Sequence, residues 1–195
     1  MKYLATFVLI FTIQINAFAE SPPEKTVTEL NAKNTKLQFE IDSTWHTVHG
    51  VAKKLFGTIY QQSSPNQTNL SGTVIISTKD LDTDNSLRDE KMRECLESER
   101  YPEIIFEVTG TSKLCPLTYG KENKGRSSSC TLSGVVSIKN VKKKIELLVT
   151  SNTDGDLSII KAQTSLSWRD FGVTDPSILV AKVDENVKIS IEIIL

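Results

Sequence analysis

The chain has 195 residues, 38% of them hydrophobic, and a formal net charge of −1. That length allows one domain with a sizeable core, or two very small ones. The near balance of 23 basic and 24 acidic side chains excludes a general electrostatic pull toward nucleic acid or an anionic membrane.

The opening stretch, "MKYLATFVLIFTIQINAFA", has a basic start at Lys2, an apolar run from Tyr3 to Ile15, and Ala17-Phe18-Ala19 at its end. This pattern predicts a secretory signal peptide over residues 1–19, because the apolar run is too short to cross a bilayer. No cysteine stands at the cut, so no lipoprotein anchor is expected. The mature chain reads as periplasmic or secreted, and not membrane-spanning. Residues 20–34, "ESPPEKTVTELNAKN", combine a Pro-Pro pair, many charges and no usable periodicity, and predict an N-terminal tail.

The period becomes two at Thr35. Leu37, Phe39 and Ile41 alternate with Gln38, Glu40 and Asp42, the mark of a half-buried strand. Strands are expected next over Thr47–Gln61, in one or two pieces, and over Ser71–Thr78. A short helix then interrupts. In "LRDEKMRECLESERYPEIIFEV", from Leu87, nine of the first fourteen residues are charged. Ser86 as cap with Asp89 three residues on makes a capping-box start, and Tyr101-Pro102 ends the helix. Met92, Cys95 and Leu96 form one narrow apolar stripe. A stripe so thin holds no core of its own, but it can lie on the end or flank of a barrel.

Alternation returns at Ile104, Phe106 and Val108, at Leu132, Val136 and Ile138, and at Ile145, Leu147 and Val149. A further strand is expected over Leu157–Trp168, and Val187 to Leu195 closes the chain on the same pattern. Turn residues separate the runs at Ser63–Asn69, Asn152–Asp156 and Val173–Ser177. Eight or nine mostly antiparallel strands predict an all-β closed sheet with one short helix. A soluble barrel turns the apolar face inward, whereas an outer-membrane barrel turns it to lipid between aromatic girdles. Aromatics are only 7% of the chain and show no girdle spacing, which favours the soluble form.

Cys115 and Cys130 flank a polar, glycine-containing stretch between two strands. In an oxidising compartment a disulfide there would close a loop of ~15 residues, worth roughly 3 kcal/mol; the alternative is two free thiols beside one loop. Cys95 is left over and reads as a small buried group rather than a reactive thiol. His46 and His49 are the only histidines. Three positions apart on a strand, they fall on opposite faces, which suits hydrogen bonding at a barrel mouth better than metal ligation. No nucleophile elbow, P-loop, dinucleotide glycine motif or zinc-protease helix occurs, so no enzyme is expected.

Four stretches stand in a telling order. "HTVHGVAKKLFGTI" at His46–Ile59 passes through His-Gly to a later Gly. "LDTDNSLRDEKMRECLESERYPEIIFEV" at Leu81–Val108 has a Thr/Asn-rich cap, Arg-Asp opening a helix, and Tyr-Pro before an apolar strand. "LSGVVSIKNVKKKIELLV" at Leu132–Val149 and "WRDFGV" at Trp168–Val173 follow. Together they resemble the YceI-like, lipid- or polyisoprenoid-binding family over nearly the whole chain from Thr35. The resemblance implies an eight-stranded, lipocalin-like antiparallel β-barrel over residues 35–195, with an elongated apolar cavity. The departures are "CLESE", with Cys95, and a longer cysteine-flanked insertion between Leu114 and Thr131.

A long lipid costs roughly 0.8 kcal/mol per CH2 to keep in water, so a carrier needs a dry wall. The inward candidates are Phe39, Ile41, Val74, Ile76, Phe106, Val108, Val136, Leu147, Leu166, Trp168 and Ile191, with Gly134 leaving room. The competing expectation is a barrel filled by its own side chains. Arg88 with Asp89, and Arg169 with Asp170, suit ion pairs that pin the helix, while Arg88, Arg169 and His46 are candidates for a lipid headgroup. The function expected is an exported lipid-binding protein that carries or sequesters a polyisoprenoid, quinone-like or fatty-chain ligand. No cofactor beyond such a hydrophobic small molecule is implied. The alternative is a ligand-free interaction or adhesion module built on the Cys115–Cys130 loop. Oligomeric state stays open, a dimer included.

Overall fold

The computed structural model describes residues 24–64, 67–111, 127–154, 157–178 and 180–195. The expected signal peptide and Cys115 lie outside them. The chain forms β1 (Glu24–Asn31), β2 (Thr35–Ser43), β3 (Thr47–Ala52), β4 (Leu55–Ser64), β5 (Gln67–Ser77) and β6 (Leu81–Asp82). After α1 (Ser86–Leu96) come β7 (Glu103–Thr111), β8 (Ser127–Ile138), β9 (Val141–Asp154), β10 (Leu157–Ser167) and β11 (Val183–Ile194). Short 3-10 turns lie at Thr78–Asp80 and Trp168–Phe171.

These eleven strands are eight arms of a ring. The neighbour order is β1-β4-β5-β7-β8-β9-β10-β11-β2-β3-β6, antiparallel throughout. β1 and β2 are two halves of one bent arm, because both pair with the next arm, Asn31 with Phe56 and Gln38 with Val51. That second arm is β3 plus β4, broken at Lys53-Lys54. The third is β5 plus β6, broken by the 3-10 turn, and its two halves pair with β4 and β3. Backbone bonds carry the ladder across both breaks, from Lys53 N–H to the Asp80 carbonyl at 2.8 Å and from Ser77 N–H to that of Lys54 at 3.2 Å. The last arm, β11, pairs with β2 from Thr35–Ile193 to Ile41–Val187, and the sheet closes into a barrel.

The stretch expected as a tail is therefore in part a strand. Thr26, Thr28 and Leu30 take the inward side of β1, and only Leu30 is strongly apolar. Threonine suits a strand by its β-branching yet leaves no hydropathy alternation to read.

The core is continuous along the inner wall, from Leu37 and Leu55 through Val74, Phe106 and Val136 to Leu147 and Ile160, with Phe171 at 1% exposure. The outer wall is polar over most of β9, β10 and β11, although Val27, Phe56, Tyr60 and Leu148 are exposed on it. Lys142, Lys144 and Glu146 of β9, Lys161 and Gln163 of β10 and Lys188 of β11 are exposed and point away from the core. Against lipid each such lysine would cost roughly 2–4 kcal/mol at mid-depth.

α1 lies over the barrel end formed by β6, the 3-10 turns and the β8–β9 hairpin. Its true cap is Asn85, whose side chain accepts the Arg88 N–H at 3.0 Å, and Ser86 is the first helical residue. The helix stops at Leu96, before Tyr101-Pro102, because Glu97 turns left-handed (φ 52°) and its N–H bonds back to the Arg93 and Glu94 carbonyls. Met92 and Leu96 pack on the core and Cys95 is buried, its thiol pushed up by that burial.

One lysine ties this end together. Lys139 and Asn140 both take positive φ (49° and 63°) and turn β8 into β9. The Lys139 side chain, 9% exposed, reaches Glu97 at 2.6 Å and donates to the Gly172 carbonyl at 2.9 Å. The hydrogen bond from Lys139 holds the Glu97 carboxyl below its ordinary value. A lowered carboxylate pKa adds stability that is full above the unfolded value and lost as pH falls through the folded one. Lys139→Gln is thus expected to lower the thermal midpoint most at neutral pH. The gap to the native protein should narrow between about pH 5 and pH 2, leaving the part due to the Gly172 bond; a gap that does not change with pH would show that Glu97 contributes nothing.

Candidate functional site

The candidate site is the interior of the ring, and the structure brings most of the expected wall together. Val74, Ile76, Phe106, Val108, Val136 and Leu147 are buried in one cluster, and Phe39, Leu166 and Ile191 pack against it. Two expected members stand apart. Ile41 is half-buried at the end of β2, opposite Val48 and Val187, and is not in the central cluster. Trp168 belongs to a 3-10 turn rather than a strand; it is buried, but its indole N–H donates to the Asp184 carbonyl at 2.8 Å, outside that cluster. Leu30, Leu55, Leu70 and Ile160 are among the further members of this cluster. They were missed as site residues because their strands alternate with threonine, glutamine or glycine, which weakens the pattern.

The glycines do not open space. A side chain at Gly50 would meet the Phe39 ring at 2.1 Å, and one at Gly134 would meet the Phe106 ring at 2.2 Å. The expectation that Gly134 leaves room is corrected: Phe106, on the adjacent strand, already occupies it. Each glycine seats a ring that folds sideways along the wall instead of crossing the lumen. Gly57 and Gly72 act differently, allowing β4 and β5 to approach so closely that any Cβ would strike backbone within 2.4 Å. The wall between these fixed points is not sealed. Ile59, Ile104, Leu132, Ile145, Ile189 and Ile193 face inward yet remain only half-buried.

The polar candidates cluster at the helix end without forming the expected pairs. Arg88 donates from Nε to Thr83 Oγ1 at 2.9 Å and from Nη2 to the Thr83 carbonyl at 2.7 Å. Asp89, buried, accepts from the Thr83 N–H at 2.8 Å and its hydroxyl at 2.6 Å. Both therefore bind Thr83 rather than each other, and they lock the entry of the helix. Arg169 pairs with Glu185 at 3.2 Å and Asp175 at 3.9 Å, not Asp170, and lies 5.0 Å over the Trp168 ring. His46 is exposed on the β2–β3 turn, and His49 meets Glu40 at 3.1 Å on the outer wall. No cluster of three metal-ligating side chains occurs among the described residues. A cleft of about 300 Å³ outside α1 is lined by Glu90, Arg93, Glu94, Glu97, Ser98, Glu99 and Arg100. Its Glu94, Glu97 and Glu99 already hold Lys91, Lys139 and Lys79, so it reads as a solvated charged groove.

The YceI-like domain model matches residues 29–195. The chain belongs to the YceI-like family. Solved structures share the fold of this YceI-like chain. BcnA of Burkholderia cenocepacia is 14% identical, covering 83% of this chain and 96% of its own, with a TM-score of 0.67. A polyisoprenoid-binding domain of Saccharophagus degradans, implicated in plant cell wall breakdown, is 12% identical with coverages of 86% and 96% and a TM-score of 0.62. The Campylobacter jejuni YceI protein is 13% identical, covering 99% of this chain and 92% of its own, with a TM-score of 0.52. No curated protein matches the chain as a relative.

The seated rings make a direct prediction. Gly134→Val must expel the Phe106 ring and is expected to cost roughly 1–3 kcal/mol in urea unfolding. A variant as stable as the native protein would mean that the ring has free space to move into.

Proposed function

We propose that this YceI-like chain is an exported lipid-binding protein that holds a polyisoprenoid, quinone-like or fatty-chain ligand inside its barrel and performs no chemistry on it. The observation that carries this reading is the unsealed apolar wall. Every arm of the ring contributes inward aliphatic or aromatic groups, the rings lie along the wall on Gly50 and Gly134, and several inward isoleucines keep accessible surface. A barrel packed solid by its own side chains would bury them. The polyisoprenoid-binding domain among the fold relatives supports the same ligand class. The signal-peptide pattern at residues 1–19 supports export to the periplasm or beyond.

Organic extraction of the protein purified without detergent, followed by mass spectrometry, tests the reading. A stoichiometric long-chain species is expected. An empty protein that also ignores added isoprenoid quinones and fatty amides would overturn it.

Export also makes the Cys115–Cys130 disulfide chemically reasonable. Cys130 is buried on β8 and Cys115 lies outside the described residues. If the pair is formed, the denatured, unreduced protein exposes one titratable thiol, Cys95, and all three cysteines only after reduction. Three thiols before reduction would exclude the bridge. In the native state the buried Cys95 should react slowly, since burial disfavours its thiolate.

A further inference from the structure

Two neighbouring hairpin tips at the helix end break the rule that tight turns are polar. The β2–β3 turn is closed by Ser43 N–H to the His46 carbonyl at 3.1 Å and carries Trp45 at 64% exposure. Ahead of β11, a second turn is closed by reciprocal backbone bonds between Ile178 and Ala181 at 3.0 and 3.1 Å. It presents Ile178 at 57% and Val180 at 65% exposure. The two turns are bolted together: Thr44 N–H donates to the Lys182 carbonyl at 2.9 Å, and Lys182 N–H donates to Thr44 Oγ1 at 2.9 Å. The apolar tips are therefore held side by side by bonds between residues 138 positions apart.

We infer that this paired tip is a docking prong that inserts shallowly into the surface of a lipid bilayer. Trp45 supplies the amphipathic ring that favours the headgroup boundary, and Ile178 and Val180 supply aliphatic surface beside it. Two narrow tips suit insertion between lipids better than a flat protein partner, whose specific interface needs roughly 1,000 Å² or more. The charges behind the tips have both signs: Lys182 and Arg169 against Asp175, Asp184 and Glu185. They stop the prong at the headgroups and match a zwitterionic surface rather than an anionic one. The inference does not depend on what the barrel holds.

Sedimentation with phosphatidylcholine vesicles tests it on protein expressed from the full chain, with native and variant forms carrying the same N-terminus. The native protein should sediment with the vesicles, little affected by salt, and its tryptophan emission should shift to shorter wavelength, a shift lost in Trp45→Ser, which keeps only the buried Trp168. Trp45→Ser with Val180→Ser changes only exposed residues, and circular dichroism checks its fold. Its partition is expected to fall roughly tenfold or more. Equal partition of the native protein and this variant would overturn the prong. So would loss of binding only in Phe56→Ser with Tyr60→Ser, which would move the contact to the exposed outer face of β4. If the native protein ignores vesicles but the double variant alters its self-association, the tips are a protein contact and the membrane inference fails.

Discussion

The pairing of β11 with β2 is the constraint on which the rest depends. It joins residues from the two ends of the chain, Thr35 with Ile193 and Ile41 with Val187. Until it forms, the sheet has two open edges and one apolar face toward water. Once formed, every arm has two neighbours and the inward face is enclosed by the ring, with part of its wall still accessible. The apolar lumen is a consequence of closure, not a separate feature, because inward and outward positions are assigned only when the curved sheet has an inside.

Closure also requires arms longer than one flat strand can be. The first three arms bend, at residues 32–34, at Lys53-Lys54 and at Thr78–Asp80, while the ladder continues across the corners. The bends are held by side chains on the outside: Lys53 meets Asp82, Lys54 meets Asp80 at 3.1 Å, and the Ser77 hydroxyl donates to Asp80 at 2.6 Å. Thr78, almost fully buried, then receives the chain returning from the helix, donating to the Tyr101 and Pro102 carbonyls. The charged helix fits this scheme. Its narrow stripe of Met92, Cys95 and Leu96 covers one barrel end, and its charges are spent on holding that end together through Thr83 and Lys139.

Strand alternation made most of the barrel legible, since Leu37-Phe39-Ile41 and Ile145-Leu147-Val149 can only be half-buried strands. Where threonine replaced aliphatic residues, as in β1, the same geometry left no trace. The helix was legible as an element, but its cap was misplaced by one residue, because Asn85 and Ser86 are both good caps and the choice depends on which backbone N–H is in reach. Trp168 shows the opposite failure. Its place as the last residue of the expected strand Leu157–Trp168 suggested the wall, whereas Gly172 in left-handed conformation (φ 64°) closes a 3-10 turn that carries the indole out of register.

By itself the sequence determined the class of fold, the apolar face and the family, because these follow from periodicity and from short motifs along the chain. Only the tertiary structure decided which groups meet. That Phe106 sits on Gly134, and that the turn carrying Trp45 is bonded through Thr44 to Lys182 beside the Ile178–Ala181 turn, each rests on contacts between different arms or turns. Register and closure set those contacts, and a shift of one residue would reverse every face.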